Sequence, residues 1–210
     1  MAITTVGSLY VGGGGAVTIS PTKIGNVMVI FFKCSATTTP SAVSGGGVTT
    51  WNLLSNFVDG IGLGAQIWWG IITSPGSNLT ATYTFGNPGS AYSSAQEFSG
   101  GSGTWSAGPN GGGNYSSGSA TGSFPSVTDS IGGNLWLGSW GGQMTMTSLS
   151  QSCTFTTYST YSAACWNLST PVTALNPAWS TTGNVGSYYQ VQVAAVLRFT
   201  PQSSGFLSFM

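Results

Sequence analysis

The sequence predicts an all-β fold, an antiparallel β-sandwich of the jelly-roll kind, and three observations support this prediction. Residues Ser187 to Thr200 alternate with a period of two, which gives one apolar face and a second face that starts polar and ends charged. Val27 to Phe32 is an unbroken β-branched and aromatic run, typical of a central strand covered on both faces. Glycine, proline and asparagine interrupt the remaining chain at short intervals, and no stretch keeps a helical period over three turns.

The first half of the chain divides into short strands separated by turns. Ile3 to Val11 and Ala16 to Ser20 flank the glycine run Gly12 to Gly15, which predicts a hairpin with a flexible tip. Further strands are predicted at Val27 to Phe32, Val48 to Phe57, Leu63 to Ile72, Leu79 to Phe85 and Ala91 to Ser99. Gly100 to Gly118 is rich in residues that disfavour regular structure, so we expect a long surface loop there.

The second half shows the same kind of pattern. Strands are predicted at Ser123 to Thr128, Asn134 to Trp140, Thr154 to Tyr158, Ala163 to Leu168 and the alternating stretch near the end. A loop is expected around Met144 and Met146, and a second long loop at Ala174 to Gly186. The segment Gly205 to Met210 follows the last strand as a short apolar tail. We therefore predict one sandwich domain over residues 1–204 and a tail over 205–210.

A faint internal repeat predicts that the sandwich has two related halves. From Ser20 and again from Phe124, a proline and a short spacer lead to Ile-Gly-Asn or Ile-Gly-Gly-Asn and then to a buried strand. AQEFSG, from Ala95, likewise matches VLRFTP in the second half, which would make Glu97 and Arg198 equivalent. Two copies are too few for a solenoid, so a duplicated sandwich is the simpler interpretation.

Charge is scarce, and this excludes several partners. The chain has three basic and three acidic side chains among 210 residues and no histidine. Without a basic patch, neither nucleic acid nor an anionic membrane is an expected partner, and Val27 to Phe32 is far too short to span a bilayer. A surface with so little charge repulsion favours association, so we expect a homo-oligomer or a larger assembly.

The same composition leaves little for catalysis. Without histidine, neither a Ser-His-Asp nor a Cys-His arrangement is possible, and the carboxylates of Asp59, Glu97 and Asp129 show no sign of convergence in the sequence. Zinc would want histidine or clustered cysteine, and calcium several close carboxylates. We therefore expect no enzyme activity, no metal and no cofactor. The three cysteines, Cys34, Cys153 and Cys165, are expected to be free thiols, although a pairing of the last two across a hairpin stays open.

Aromatic and amide side chains supply the candidate contact sites. Trp51, Trp68, Trp69, Trp136 and Trp140 lie on predicted strands and are expected in the core. The candidate glycan or partner contacts are the loop aromatics Trp105, Tyr115 and Trp179 together with Tyr188. The candidate subunit interface comprises Gln190, Gln192 and Arg198 on the last strand and Phe206, Leu207 and Phe209 in the tail.

Five motifs carry a resemblance to a known family. They are IGNV from Ile24, VTTWNLLSNF from Val48, QIWWGIITSPGSNLTATYTF from Gln66, AQEFSGG from Ala95 and VQVAAVLRF from Val191. In this order they resemble the β-sandwich minor tail proteins of phages that infect actinobacteria, and related low-charge modules of bacterial surface proteins. The motifs report strands, turns and core, so they are specific for the fold more than for the role.

The resemblance implies a non-enzymatic structural protein of the phage virion, in the tail or tail tip, exposed toward the host surface. Its implied partners are other virion proteins, with host cell-wall glycan as a possible contact. The start of the chain, MAITTVGSLYVGGGG, has no basic leader, so we expect synthesis in the host cytoplasm. Two alternatives stay open: a capsid decoration protein, and a secreted adhesin or carbohydrate-binding module.

Overall fold

The chain forms β-strands and no helix in the residues that its structure, a computed structural model, describes: 2–34, 39–59, 62–85, 91–117, 119–182 and 189–203, with the backbone alone for 114–117. In these residues the strands are β1 (Thr4–Gly13), β2 (Ala16–Ile19), β3 (Val27–Cys34), β4 (Pro40–Gly45), β5 (Asn52–Val58), β6 (Gly64–Ile71), β7 (Leu79–Phe85), β8 (Ala91–Ser99), β9 (Gly103–Ser117), β10 (Thr121–Ser123), β11 (Leu135–Gly141), β12 (Met146–Leu149), β13 (Thr154–Ser159), β14 (Ser162–Asn167), β15 (Ala178–Thr181) and β16 (Tyr189–Pro201).

The order of the strands in the sheets repeats. The first half forms one curled sheet of eight strands in the order β4-β7-β2-β1-β8-β3-β6-β5. In the second half, adding eight to each label gives the same order, β12-β15-β10 and β9-β16-β11-β14-β13, but no ladder joins β10 to β9 in the described residues. All of these neighbours pair antiparallel. Strands 1-8-3-6 beside 2-7-4 follow a jelly-roll order. The predicted all-β, jelly-roll-like sandwich is confirmed.

The same backbone contact recurs where the central strand of each half begins. Before β3, the carbonyl oxygen of Asn26 accepts a hydrogen bond from Ile72 N at 2.9 Å. Before β11, the carbonyl oxygen of Asn134 accepts one from Thr170 N, also at 2.9 Å. In both places the glycine before the asparagine donates back to the same residue. Asn26 and Asn134 are therefore equivalent, as the Ile-Gly-Asn match predicts.

The second predicted match is displaced. Strand β3 begins opposite Phe98 of β8, whereas β11 begins opposite Leu197 of β16. The sequence match aligned Phe98 with Phe199, so it is two residues out of register. The prediction that Glu97 and Arg198 are counterparts is wrong.

Three clusters of buried side chains hold the halves together. The first core lies within the first half, the second core lies within the second half, and the shared core takes side chains from both. Strand β3 shows the arrangement: Val29 and Phe31 face the shared core, whereas Ile30 and Phe32 face the first core. Burial of apolar area on both sides, at roughly 25 cal/mol per Å², explains why this run has no polar alternation. The five strand tryptophans predicted in the core are all buried.

The arrangement corrects the prediction for the second face of the last strand. In β16, Val191 and Val193 face the shared core. The opposite face carries Ala194, which belongs to the second core, together with Gln190 and Gln192. This face is buried rather than wet, because the second half curls over it.

The predicted loop at residues 100–118 is wrong for most of its length. Strand β9 occupies this stretch and pairs with β16 from Gly103 opposite Pro201 to Ser117 opposite Tyr189. The strand is not recognisable in the sequence, because its glycines have no side chains to form an alternating pattern. The same glycines allow another strand to pack close to the backbone of β9. A Cβ on Gly113 would lie 2.0 Å from a carbon of the neighbouring strand β5. The expected loops around Met146 and at 174–186 likewise contain β12 and β15.

Two of the sequence predictions are not tested by the architecture. The boundary of a single domain over 1–204 stays a prediction, because shared packing does not measure independent folding. The apolar tail at 205–210 lies outside the described residues. Cys34, Cys153 and Cys165 are free thiols in the structure.

Candidate functional site

Two of the four aromatic residues predicted to contact glycan are buried in the structure. Trp179 is 1% exposed, and its ring centroid lies 5.9 Å from that of Trp140 in the second core. Trp105 is 8% exposed and packs against Phe199 with centroids 4.9 Å apart. Burial corrects the prediction for both tryptophans, because a sugar stacks only on a free ring face. The other two candidates, the side chain of Tyr115 and the whole of Tyr188, lie outside the described residues.

The predicted interface glutamines point into their own chain. Gln190 is 0% exposed and Gln192 is 1% exposed. Gln190 Nε2 donates to the carbonyl oxygen of Ser119 at 3.1 Å, and Gln192 Nε2 donates to that of Ser123 at 3.3 Å. The prediction of a subunit contact at these two residues is corrected, since the amides link β16 to the chain at β10. The tail residues Phe206, Leu207 and Phe209 lie outside the described part, and their interface role stays a prediction.

Arg198, the third interface candidate on β16, belongs to a buried polar cluster around Asp129. The Asp129 side chain is 1% exposed, and its carboxylate accepts hydrogen bonds from Asn134 Nδ2 at 2.7 Å and Thr170 Oγ1 at 2.9 Å. Arg198 Nη2 lies 3.2 Å from the other carboxylate oxygen. Burial raises the pKa of Asp129, but the hydrogen bonds from Asn134, Thr170 and Arg198 outweigh it and hold the pKa below its ordinary value. We call this group the Asp129 corner.

The first half has a corresponding group, the Glu97 corner. Glu97 is fully buried and accepts hydrogen bonds from Thr22 N at 2.9 Å, from Thr22 Oγ1 at 2.8 Å and from Asn26 Nδ2. Its donors are neutral, and the ion pair in the described part of the chain is Arg198 with Asp129. Glu97 and Arg198 are therefore not an ion pair in the structure.

Both corners serve to anchor a loop on a central strand. The Asp129 corner also holds β16 through Phe199 N, which donates to Asn134 Oδ1 at 3.0 Å. Every carboxylate oxygen of the two corners accepts a hydrogen bond from the protein itself. Sequence reasoning missed the convergence of Asp129, Asn134 and Thr170, although the repeated Ile-Gly-Asn motif marked one member.

A third titratable group lies at the rim of the shared core. Lys33 is 5% exposed, and its Nζ sits 5.3 Å from the ring centroid of Tyr92. Its stem packs on Gly141, where a Cβ would lie 2.2 Å from Lys33 Cγ. Burial lowers the pKa of Lys33 and raises the pKa of the adjacent Cys34 thiol to about 12. The thiol therefore stays protonated at neutral pH and is a poor nucleophile.

The described surface has two shallow concavities lined mostly by hydroxyl, amide and small apolar side chains. The larger, the β15 groove, has a volume of about 640 Å³ and lies across β10, β15 and β12, with hydroxyls from Thr121, Ser123, Ser148, Ser150 and Ser180. The smaller, of about 360 Å³, lies among the loops at 151–152 and 167–175. Neither wall has a charged residue. Such surfaces offer neutral hydrogen-bonding groups but no exposed aromatic ring.

Neither a metal site nor a membrane-spanning helix occurs in the described residues. No group of three or more His, Cys, Asp or Glu side chains in that part of the chain is placed to hold a metal ion. No helix there is long and apolar enough to cross a membrane.

No family model, no curated protein and no solved structure matches the chain. The resemblance of the sequence motifs to phage tail proteins stays a prediction.

Proposed function

We propose that the chain is a non-enzymatic structural component of a tailed-phage virion, a minor tail or tail-tip protein exposed toward the host surface. The observation that carries the proposal is where the charged side chains lie. On strands they occur only at Lys33 in β3, Glu97 in β8 and Arg198 in β16, and each of these strands has neighbours on both sides. The proposal includes synthesis in the host cytoplasm.

The strands at sheet edges carry no charge at all. In the described residues β4, β5, β9, β10, β12 and β13 end their sheets, and none contains Lys, Arg, Asp or Glu. Charged side chains are one of the devices by which proteins that stay monomeric protect such edges, because an edge offers unpaired backbone groups to any other chain. Edges without this protection suit a protein whose edges are covered by neighbours, whether copies of itself or other virion proteins.

The groups with acid or base character support a structural role. Glu97 and Asp129 are held in corners by their own chain, and Lys33 and Cys34 are buried. A catalytic base must reach the proton that it removes, so these buried groups are poorly placed for hydrolysis. The β15 groove offers a neutral surface for a host glycan. Burial of Trp105 and Trp179, however, weakens the case for the alternative, a carbohydrate-binding module.

Immunogold electron microscopy tests the location. Antibody raised against the chain is applied to purified particles of a phage that encodes it, with antibody pre-absorbed on the chain as control. Label at the tail or its tip is the expected result. Label confined to the capsid surface would favour the decoration alternative, and particles without label, together with binding of the chain to isolated cell walls, would overturn the virion proposal.

Sedimentation tests the edge argument. We expect the chain to associate in a concentration-dependent way, and Thr156→Lys, which puts a charge on the exposed part of edge strand β13, to weaken association. Thr82→Lys places the same charge on the exposed face of β7, which has neighbours on both sides, and is the matched control. Equal effects of the two variants, or a monomer at all concentrations, would contradict the argument.

A further inference from the structure

One seam that a backbone ladder closes in the first half has no such ladder in the described residues of the second half. In the first half the hairpin joins β1 to β2 by the pair Gly13 and Ala16. In the second half no backbone ladder joins β9 to β10 within the described residues. Instead, the inward-pointing amides of Gln190 and Gln192 reach across to backbone carbonyls at β10. In the described residues this seam is therefore bridged by two amide side chains, whereas its counterpart has a backbone pair and one hydroxyl contact, from Tyr10 to the carbonyl oxygen of Ser20 at 2.9 Å.

Several buried polar atoms next to this seam have no partner in the protein. They are Nε1 of Trp136, Trp140 and Trp179 and Oε1 of Gln192, and all four residues are at most 1% exposed. In the first core the corresponding kind of group is satisfied: Trp68 Nε1 donates to Gln66 Oε1 at 2.8 Å. Leaving one such group unpaired costs about 1–3 kcal/mol, so these atoms of the second half require a partner.

Three of these atoms belong to side chains that meet at the seam. Trp140 lies directly opposite Gln192 in the pairing of β11 with β16, so the two side chains share a face. Trp179 is the ring neighbour of Trp140. The six-membered ring of Trp179 lies against β10, because a Cβ on Gly122 would lie 2.4 Å from Cζ2 and 2.9 Å from Cε2, the carbon bonded to Nε1. Gln192 bonds the next residue of β10, Ser123.

We propose that Trp140, Trp179 and Gln192 form an internal binding site for an ordered water molecule. The water accepts hydrogen bonds from the two indole N–H groups and donates one to Gln192 Oε1. Three hydrogen bonds are typical of a buried water in a protein. The site has no charged member, which disfavours an ion, and its near-complete burial limits the occupant to a small neutral molecule.

Water-NOE and water-ROE spectra of the ¹⁵N-labelled chain test the site. We expect the indole Hε1 protons of Trp140 and Trp179 to show cross-peaks to a long-lived water. Trp68, whose N–H is already bonded to Gln66, is the control in the same spectrum and should show none. The variant Gln192→Met removes the acceptor and should abolish both cross-peaks, whereas Gln190→Met keeps that acceptor and should retain them.

Absence of both cross-peaks in the wild-type chain would overturn the proposal, and so would equal cross-peaks at Trp68. The wild-type spectrum alone decides between these outcomes, so the test remains valid even if a variant does not fold. A high-resolution crystal structure gives a second readout: density within hydrogen-bond distance of both indole nitrogens is expected, and direct bonds from them to protein oxygens would refute the site. The inference is independent of the proposed function.

Discussion

The two halves of the molecule have one strand order but close it with different chemistry. In the first half, Gly12 lets β1 run so close to its neighbours that a Cβ would lie 2.9 Å from Ser93 Oγ, and backbone pairing closes the seam. In the second half, two glutamine side chains span the equivalent seam. Strand order is thus compatible with either a backbone or a side-chain closure.

The two corners make the same comparison in electrostatic terms. In the first half the carboxylate is on the strand, at Glu97, and neutral donors from the loop surround it. In the second half the loop provides the carboxylate, at Asp129, and the strand provides a cation, Arg198. Both halves therefore place a hydrogen-bonded carboxylate beside the asparagine that precedes the central strand, but they take it from different elements.

The largest expected effect separates the two corners. Asp129→Asn should lower the free energy of unfolding by about 3 kcal/mol, because an amide keeps the shape but leaves Arg198 without its counter-charge. Glu97→Gln, the matched change in the first half, should lower the free energy of unfolding by only about 1 kcal/mol, because it leaves no cation without a counter-charge. Urea unfolding followed by tryptophan fluorescence measures both. Equal losses would mean that the cation contributes nothing to the difference.

The contact of β9 with the first half provides the next effect. Gly113→Ala should destabilise the chain by about 2 kcal/mol, because the new methyl would overlap Phe57, whose Cβ lies 2.0 Å from the Cβ position. Gly13→Ala in β1 is the control, since the new methyl would lie 3.9 Å from the carbonyl oxygen of Ala91, and it should change stability by less than about 0.5 kcal/mol. Thermal and urea unfolding both report the difference. If Gly113→Ala leaves the free energy of unfolding unchanged, β5 and β9 can move apart without loss of stability.

A smaller effect of opposite sign is expected at the rim of the shared core. Lys33→Met should raise the free energy of unfolding at pH 7 by about 1 kcal/mol, because it removes a buried charge that has no anionic partner within the described residues. The folded pKa of Lys33 is lowered, so wild-type stability rises with pH between that pKa and 10.5, and the advantage of the variant should shrink there.

The exposed Lys23 gives the control for that experiment. Lys23→Met should leave the unfolding curves at both pH 7 and pH 10 unchanged within error. If Lys33→Met destabilises the chain instead, the contact of its ammonium with the Tyr92 ring outweighs the cost of burial.

The smallest expected effect is on the stability of the chain at acid pH. The folded pKa of Asp129 is below its ordinary value, so its contribution is fully present above an unfolded pKa of about 3.9 and is lost as pH falls through the folded pKa. Unfolding free energies measured from about pH 5 down to about pH 2 should therefore fall more steeply for the wild type than for Asp129→Asn. Parallel curves would remove Asp129 from the acid response.

Periodicity predicted the parts of the fold whose side chains carry a pattern. The hairpin of β1 and β2, the central strands β3, β11 and β16, and the repeat at Asn26 and Asn134 all follow from local sequence. Strand β9 could not be found in this way, because its glycines have no side chains to alternate and its pairing is decided by β16. The alternation of side chains in β16 also could not show that its second face is buried, because that burial depends on packing against other strands.

The site was less predictable than the fold. Burial of Trp179 follows from pairing with Gly122, whose missing side chain makes room for the ring, and nothing local in the sequence marks that pairing. The Asp129 corner joins residues that are 41 and 69 positions apart. Contacts over such separations depend on strand order, which composition and spacing do not determine.

The placement of the basic residues has a practical consequence for finding this protein in a particle. Trypsin cuts after lysine and arginine, which occur here only at positions 23, 33 and 198. Complete digestion would release one peptide from Cys34 to Arg198 that contains every strand from β4 to β15. Such a peptide is too long for routine mass spectrometry, so a trypsin-based inventory would undercount the chain. Chymotrypsin, which cuts after the aromatic residues that make up 12% of the sequence, would reveal it.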